Sequence, residues 1–70
     1  MARTLVGTIT RMTASVYVAE RVPPYGTDSV IRGSFPEAKL WLKGCVNDDL
    51  TETRNANALP PEIVYLYTPG

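Results

Sequence analysis

Two runs of this chain alternate apolar and polar residues, two more are short and rich in strand formers, and a fifth fits two different periods. Residues 4–12, TLVGTITRM, place Leu5, Gly7 and Ile9 on one side and Thr4, Val6, Thr8 and Thr10 on the other. Residues 15–22, SVYVAERV, set Val16, Val18 and Val22 against Tyr17, Ala19 and Arg21. β-Branched residues in such alternation predict strands. Only Thr13 and Ala14 separate the two runs, so they are expected to form a hairpin. PPYGTD (23–28) breaks the pattern: two prolines stop the second strand and Gly26 permits a turn. SVIRGSF (29–35) reads as a short third strand built on Val30 and Ile31, with Gly33 at a bulge or strand end. EIVYLYT (62–68) sets Val64 and Leu66 against Ile63, Tyr65 and Tyr67. A strand apolar on both faces belongs in the middle of a sheet or at an interface.

The ambiguous run is GSFPEAKLWLKG, residues 33–44. As a strand it aligns Ala38, Leu40, Leu42 and the following Val46. As a helix it has a start signal: Ser34 and Glu37 stand at capping-box spacing, and Pro36 is tolerated in a first turn. EAKLWLK then consists mostly of strong helix formers. At 3.6 residues per turn, Ala38, Trp41, Leu42, Cys45 and Val46 share one face and Leu40 points away. The capping spacing and the propensities favour the helix. Residues 47–59 are polar and read as a long connection, with a helical turn expected after Asp49, where Glu52 again stands three residues on. The expected fold is therefore a single α+β domain in the order β-β-β-α-β. It is a three- to four-stranded antiparallel sheet with one helix packed on one face. Leu5, Ile9, Val16, Val18 and Ile31 are expected on the sheet side of the core, with Trp41 and Leu42 on the helix side.

Length sharpens this picture. A chain of 70 residues buries only about 60% of its unfolded surface. Small folds usually supplement such a thin core with a disulfide, a metal or a partner. Cys45 is the one cysteine and histidine is absent, so an internal disulfide is excluded and zinc lacks a ligand set. A partner protein or a second copy is the remaining supplement. The lone cysteine fits a reducing, cytoplasmic setting. The first residues alternate with threonine and do not look like a signal peptide, and no apolar stretch approaches the roughly 20 residues of a membrane helix.

Charge is balanced overall but not along the chain. Residues 1–35 carry four arginines against Glu20 and Asp28, a net +2; residues 36–70 carry three cations against five acids, a net −2. Clustered positive charge of the kind nucleic acids attract is missing. Catalysis also lacks its usual parts. Without histidine there is no Ser-His or Cys-His pair. Cys45 reads as a small buried thiol, Asp48 and Asp49 as solvated loop acids, and the glycines are too scattered for a phosphate loop. No enzyme activity, cofactor or metal is expected.

The segment IRGSFPEAKLWL (31–42) resembles the strand–glycine–aromatic–helix passage of DNA-binding modules built on a three-stranded sheet, such as AP2-type and integrase arm-binding domains. Gly33, Phe35, Glu37 and Ala38 carry the match. The resemblance implies a nucleic-acid-reading open sheet face, here using Tyr17, Arg11, Arg21 and Arg32.

The residues themselves favour a different use. Tyrosine and arginine anchor protein interfaces. Tyr65 and Tyr67 share a strand face, Leu40 turns away from the core, and Tyr17, Arg21 and Arg32 are the accompanying candidates. The expected function is a small non-enzymatic protein that binds another protein, as an accessory or inhibitor of phage or mobile-element type that occludes a host target. The alternatives are the nucleic-acid-binding sheet or a structural subunit of a symmetric, virion-like assembly, forming a homo-oligomer through residues 62–68.

Overall fold

The computed structural model describes residues 3–44, 46, 49–54 and 62–69. It contains β1 (Leu5–Thr13), β2 (Val16–Arg21), β3 (Ser29–Arg32), α1 (Phe35–Lys43), β4 (Thr51–Arg54) and β5 (Glu62–Tyr67). The strands form one sheet of order β3-β2-β1-β5-β4 with every neighbour antiparallel. The α+β architecture with one helix is as expected, with five strands rather than three or four.

The helix forms where the capping spacing puts it. Ser34 is the N-cap and its hydroxyl accepts from the Glu37 backbone amide at 3.4 Å. Gly44 ends the helix, its amide donating to the Leu40 and Trp41 carbonyls. The helix lies against β2, β1 and β3, burying Ala38 and Leu42 completely. Trp41 is half-buried at its edge, Val46 packs on the core from beyond the helix, and Cys45 lies outside the described residues.

Two expectations about the sheet are corrected. The polar stretch 47–59 contains β4 at Thr51–Arg54, and no helical turn follows Asp49. An edge strand needs a partner on one side only and tolerates charged residues, so TETR pairs with β5 without an apolar pattern to announce it. Leu50, just before it, supplies the buried anchor. Of the remainder, residues 47, 48 and 55–59 lie outside the described residues.

The second correction concerns which side of each strand is buried. The core is Val6, Ile9, Ala19, Ala38, Leu42, Leu50, Val64 and Leu66. Val18 and Ile31, expected inside, face away from the helix, while Ala19 and Val30 face it. Leu5 and Val16 are only half-buried. In β1 the cause is a bulge: Leu5 pairs with Tyr67 but Gly7 with Leu66, so Val6 is an extra residue. An added residue reverses the alternation at that point, which carries Val6 into the core and Leu5 to the opposite side. In β2 the cause is the helix. It crosses closest where side chains are smallest, and a Cβ on Gly7 would stand 2.8 Å from Leu42 Cδ2 and 2.1 Å from the Glu20 carbonyl oxygen. Ala19 meets that requirement for small side chains and a valine does not.

β5 behaves as its pattern says, with Val64 and Leu66 buried and Tyr65 exposed. It is also hydrogen-bonded on both edges, to β1 and to β4. Over Val64–Tyr67 both edges of the strand are therefore occupied within the chain.

Candidate contact surface

The side of the sheet away from α1 is a layer with no cover among the described residues. Strand register builds it in rows. Ile31, Val18, Thr10 and Ile63 lie side by side across β3, β2, β1 and β5. The next row runs Ser29, Glu20, Thr8, Tyr65 and Thr53, and the third joins Leu5, Tyr67 and Thr51. Ile31 is 66% exposed and Tyr65 38%. Glu20 is the single charged side chain in these three rows. At one corner the Arg3 guanidinium stands 5.4 Å from the centroid of the Tyr67 ring, a cation–π contact. The surface combines aliphatic groups, two tyrosines and hydroxyls, and it presents no convergent set of titratable groups.

The six side chains singled out from sequence fall in three separate places. Tyr65 and Tyr67 are together on the open face. Leu40, 70% exposed, lies on the outer side of the helix and lines a concavity of about 350 Å³ with Arg32, Glu37 and Trp41. Tyr17 lies on the helix side of the sheet, its ring edge-to-face with Phe35 at a centroid distance of 6.3 Å. Arg21 and Arg32 are also on the helix side, because Arg21 pairs with Gly7, and Arg32 with Tyr17, in the core-facing register.

Arg21 is thereby a structural residue. Its guanidinium lies 3.8 Å from the Trp41 ring centroid, Nη2 donates to the Trp41 carbonyl at 2.7 Å, and Nη1 meets Asp28 Oδ2 at 3.3 Å. The contacts tie the end of β2 to the last turn of α1 and to the β2–β3 connection. Arg32 turns back along its own strand, Nη1 donating to the Ile31 carbonyl at 3.0 Å. Arg11, opposite Tyr17, is in the same helix-side register, so none of the four residues expected to read nucleic acid lies on the open face, where Arg3 at the Tyr67 corner is the one arginine among the described residues; a duplex or single strand is bound chiefly through such cations.

Two ion pairs secure the helix to β4 and the residues just before it. Lys39 Nζ meets Glu52 Oε1 at 3.0 Å and Lys43 Nζ meets Asp49 Oδ1 at 2.8 Å. The Lys39 hydrogen bond holds the Glu52 carboxyl below the usual carboxylate range, against the opposing effect of its partial burial. The Lys43 hydrogen bond likewise lowers Asp49. Among the described residues, no three acids, cysteines or histidines gather into a metal site, and no helix is long and apolar enough to cross a membrane.

Sequence reasoning missed Leu5, Val18 and Ile31 as surface residues because it assigned them to the core. Hydropathy carries no signal that separates the two faces of β2: Val18 is more apolar than Ala19. No family model, curated protein or solved structure matches the chain.

Proposed function

We propose that the protein is a non-enzymatic binding protein whose open sheet face lies on the surface of another protein. The observation that carries this reading is the composition of that face: Ile31, Val18, Ile63 and Leu5 share it with Tyr65 and Tyr67, with one formal charge in three rows. A domain is normally two packed layers, and an uncovered apolar and aromatic layer is the kind of patch that marks an interaction site. The two tyrosines supply the anchors, and the flanking threonines supply hydrogen bonds without the desolvation cost of charges. Binding works by occlusion, with no bond made or broken. Neutrality of the face selects a partner patch that is itself weakly charged.

The test is a capture experiment with three forms of the full chain, each shown to be folded by circular dichroism. Wild type should retain a stoichiometric partner, Ile31→Lys/Tyr65→Lys should lose it, and Leu40→Lys on the helix should keep it. Capture that survives the double substitution, or that is lost with Leu40→Lys alone, rejects the open face as the contact.

A further inference from the structure

The sheet ends in two edges, and they differ. At one, β4 carries Glu52 and Arg54, which are committed to Lys39, to Glu62 and to each other. Charged residues of this kind protect an edge against pairing. At the other, β3 is paired with β2 alone. The Arg21 amide donates to the Asp28 carbonyl, and the register continues with Ala19 opposite Val30 and Tyr17 opposite Arg32. Hydrogen bonding alternates along an antiparallel strand. The backbone groups of Asp28, Val30 and Arg32 therefore face β2, and those of Ser29 and Ile31 turn outward. Both outward residues are exposed.

The charges along this edge are arranged symmetrically. Arg32 donates from Nη1 to the outward Ile31 carbonyl at 3.0 Å and has no ion-pair partner among the described residues. On the same side of the strand, Asp28 meets Arg21 through Oδ2 and keeps 60% of its side chain exposed. Val30 lies midway between the two. The edge thus carries a cation two residues to one side of its centre and an accessible anion two residues to the other.

We infer that β3 pairs with β3 of a second copy of the chain, antiparallel about a two-fold axis at Val30. Ser29 and Ile31 exchange backbone hydrogen bonds with the partner's Ile31 and Ser29. Asp28 then stands opposite the partner's Arg32, and Arg32 opposite the partner's Asp28. These positions belong to the non-hydrogen-bonded class, where facing side chains approach most closely. Charge complementarity selects a second copy as the occupant, because opposite charges equally spaced about a centre complement themselves under a two-fold. A shift of two residues either way puts Arg32 or Asp28 opposite Val30 and forfeits the ion pairs. In the pair, the partner's amide takes over the Ile31 carbonyl and frees Arg32 for the carboxylate. Two five-stranded sheets become one, with Ile31 still on the open face beside the partner's Ser29. Strands this short bury less than the roughly 1,200–2,000 Å² of a stable interface, so the dissociation constant is expected on the order of 0.1–1 mM.

The experiment is sedimentation equilibrium of the full chain from about 20 μM to about 2 mM, where the mass of wild type should climb from one copy towards two. Asp28→Arg and Arg32→Asp, each shown to be folded by circular dichroism, place like charges opposite each other and should each weaken association about ten-fold or more. An equimolar mixture of the two variants restores opposite charges at both ends of a mixed pair, and should associate as wild type does. Ile31→Pro removes an amide that faces away from β2 and should abolish association; it decides the matter alone if either charge variant fails to fold. A wild-type mass that stays at one copy at 2 mM, association indifferent to either charge reversal, a mixture no better than its components, or a dimer that survives Ile31→Pro would each overturn the proposal. The open-face reading is unaffected by any of these results, since the edge contact leaves that face uncovered.

Discussion

At the centre of the sheet the helix side presents Gly7, Ile9, Ala19 and Val64, while the open side of the same strands presents Thr8, Thr10, Val18 and Ile63. Judged by hydropathy the two sets are hard to tell apart, and the open side is arguably richer in strand-forming residues. Their difference is size and fit. The helix side is stepped to accept Ala38 and Leu42, with a glycine where Leu42 approaches backbone. The open side carries no helix, and its Ile31 and Tyr65 stay exposed. This contrast is the physical basis for proposing one face for stability and the other for contact.

The comparison breaks most sharply at Gly7. Gly7→Ala drives a Cβ into the Glu20 carbonyl oxygen, 2.1 Å away, which a flexible side chain cannot relieve. A loss near the upper end of the ~1–3 kcal/mol typical of overpacking, or beyond it, is expected by urea denaturation. Leu42→Ala removes the fully buried side chain of the helix and should cost ~2–5 kcal/mol in the same assay. Arg21→Met keeps the stem that packs on Trp41 but deletes the guanidinium stack and the bond to the Trp41 carbonyl. A loss of about 1–2 kcal/mol follows, with a change in tryptophan fluorescence because the ring's covering charge is gone. On the open face, Ile31→Thr should change stability by less than ~0.5 kcal/mol, as surface substitutions do. A loss comparable to that of Leu42→Ala would mean that the face is covered in the isolated protein.

The smallest effect concerns pH. Glu52 and Asp49 both titrate below the ordinary range when folded because Lys39 and Lys43 donate to them. Depressed carboxylates contribute stability above their unfolded pKa and lose it as pH falls through the folded value. The contribution is therefore complete near neutrality and is lost as the pH falls through the lowered folded values, and solvent screening keeps it small for exposed pairs of this kind. Lys39→Met should flatten that acid-side slope in thermal melts run from pH 6 down to pH 3, and leave the open face untouched.

Much of this fold is written in local signals. The helix is announced by Ser34, Pro36 and Glu37, the hairpin by two alternating runs, and β5 by a strand pattern apolar on both faces, which fits its place between β1 and β4. What could not be read are features that depend on a distant neighbour. The bulge at Val6 exists only because β5 pairs with β1 out of step. β4 carries no apolar pattern of its own and becomes a strand because β5 offers an edge. The orientation of β2 is decided by a helix about twenty residues further on. The candidate surface inherits these limits: Tyr65 and Tyr67 were visible because β5 was read correctly, and Val18 and Ile31 were hidden because β2 and β3 were turned over. Arg21, read as an interface residue, is committed to Trp41, whose place over β2 no spacing in the sequence reveals.

The chain's three isoleucines sample both sides of the sheet, Ile9 in the core and Ile31 and Ile63 on the open side. Methyl-labelled isoleucine in the purified protein, exposed to a soluble paramagnetic agent, reads the central claim directly. The Ile31 methyl should relax strongly, the Ile63 methyl measurably and the Ile9 methyl hardly at all, at every protein concentration. Protection of Ile31 and Ile63 to the level of Ile9 would contradict a free contact face.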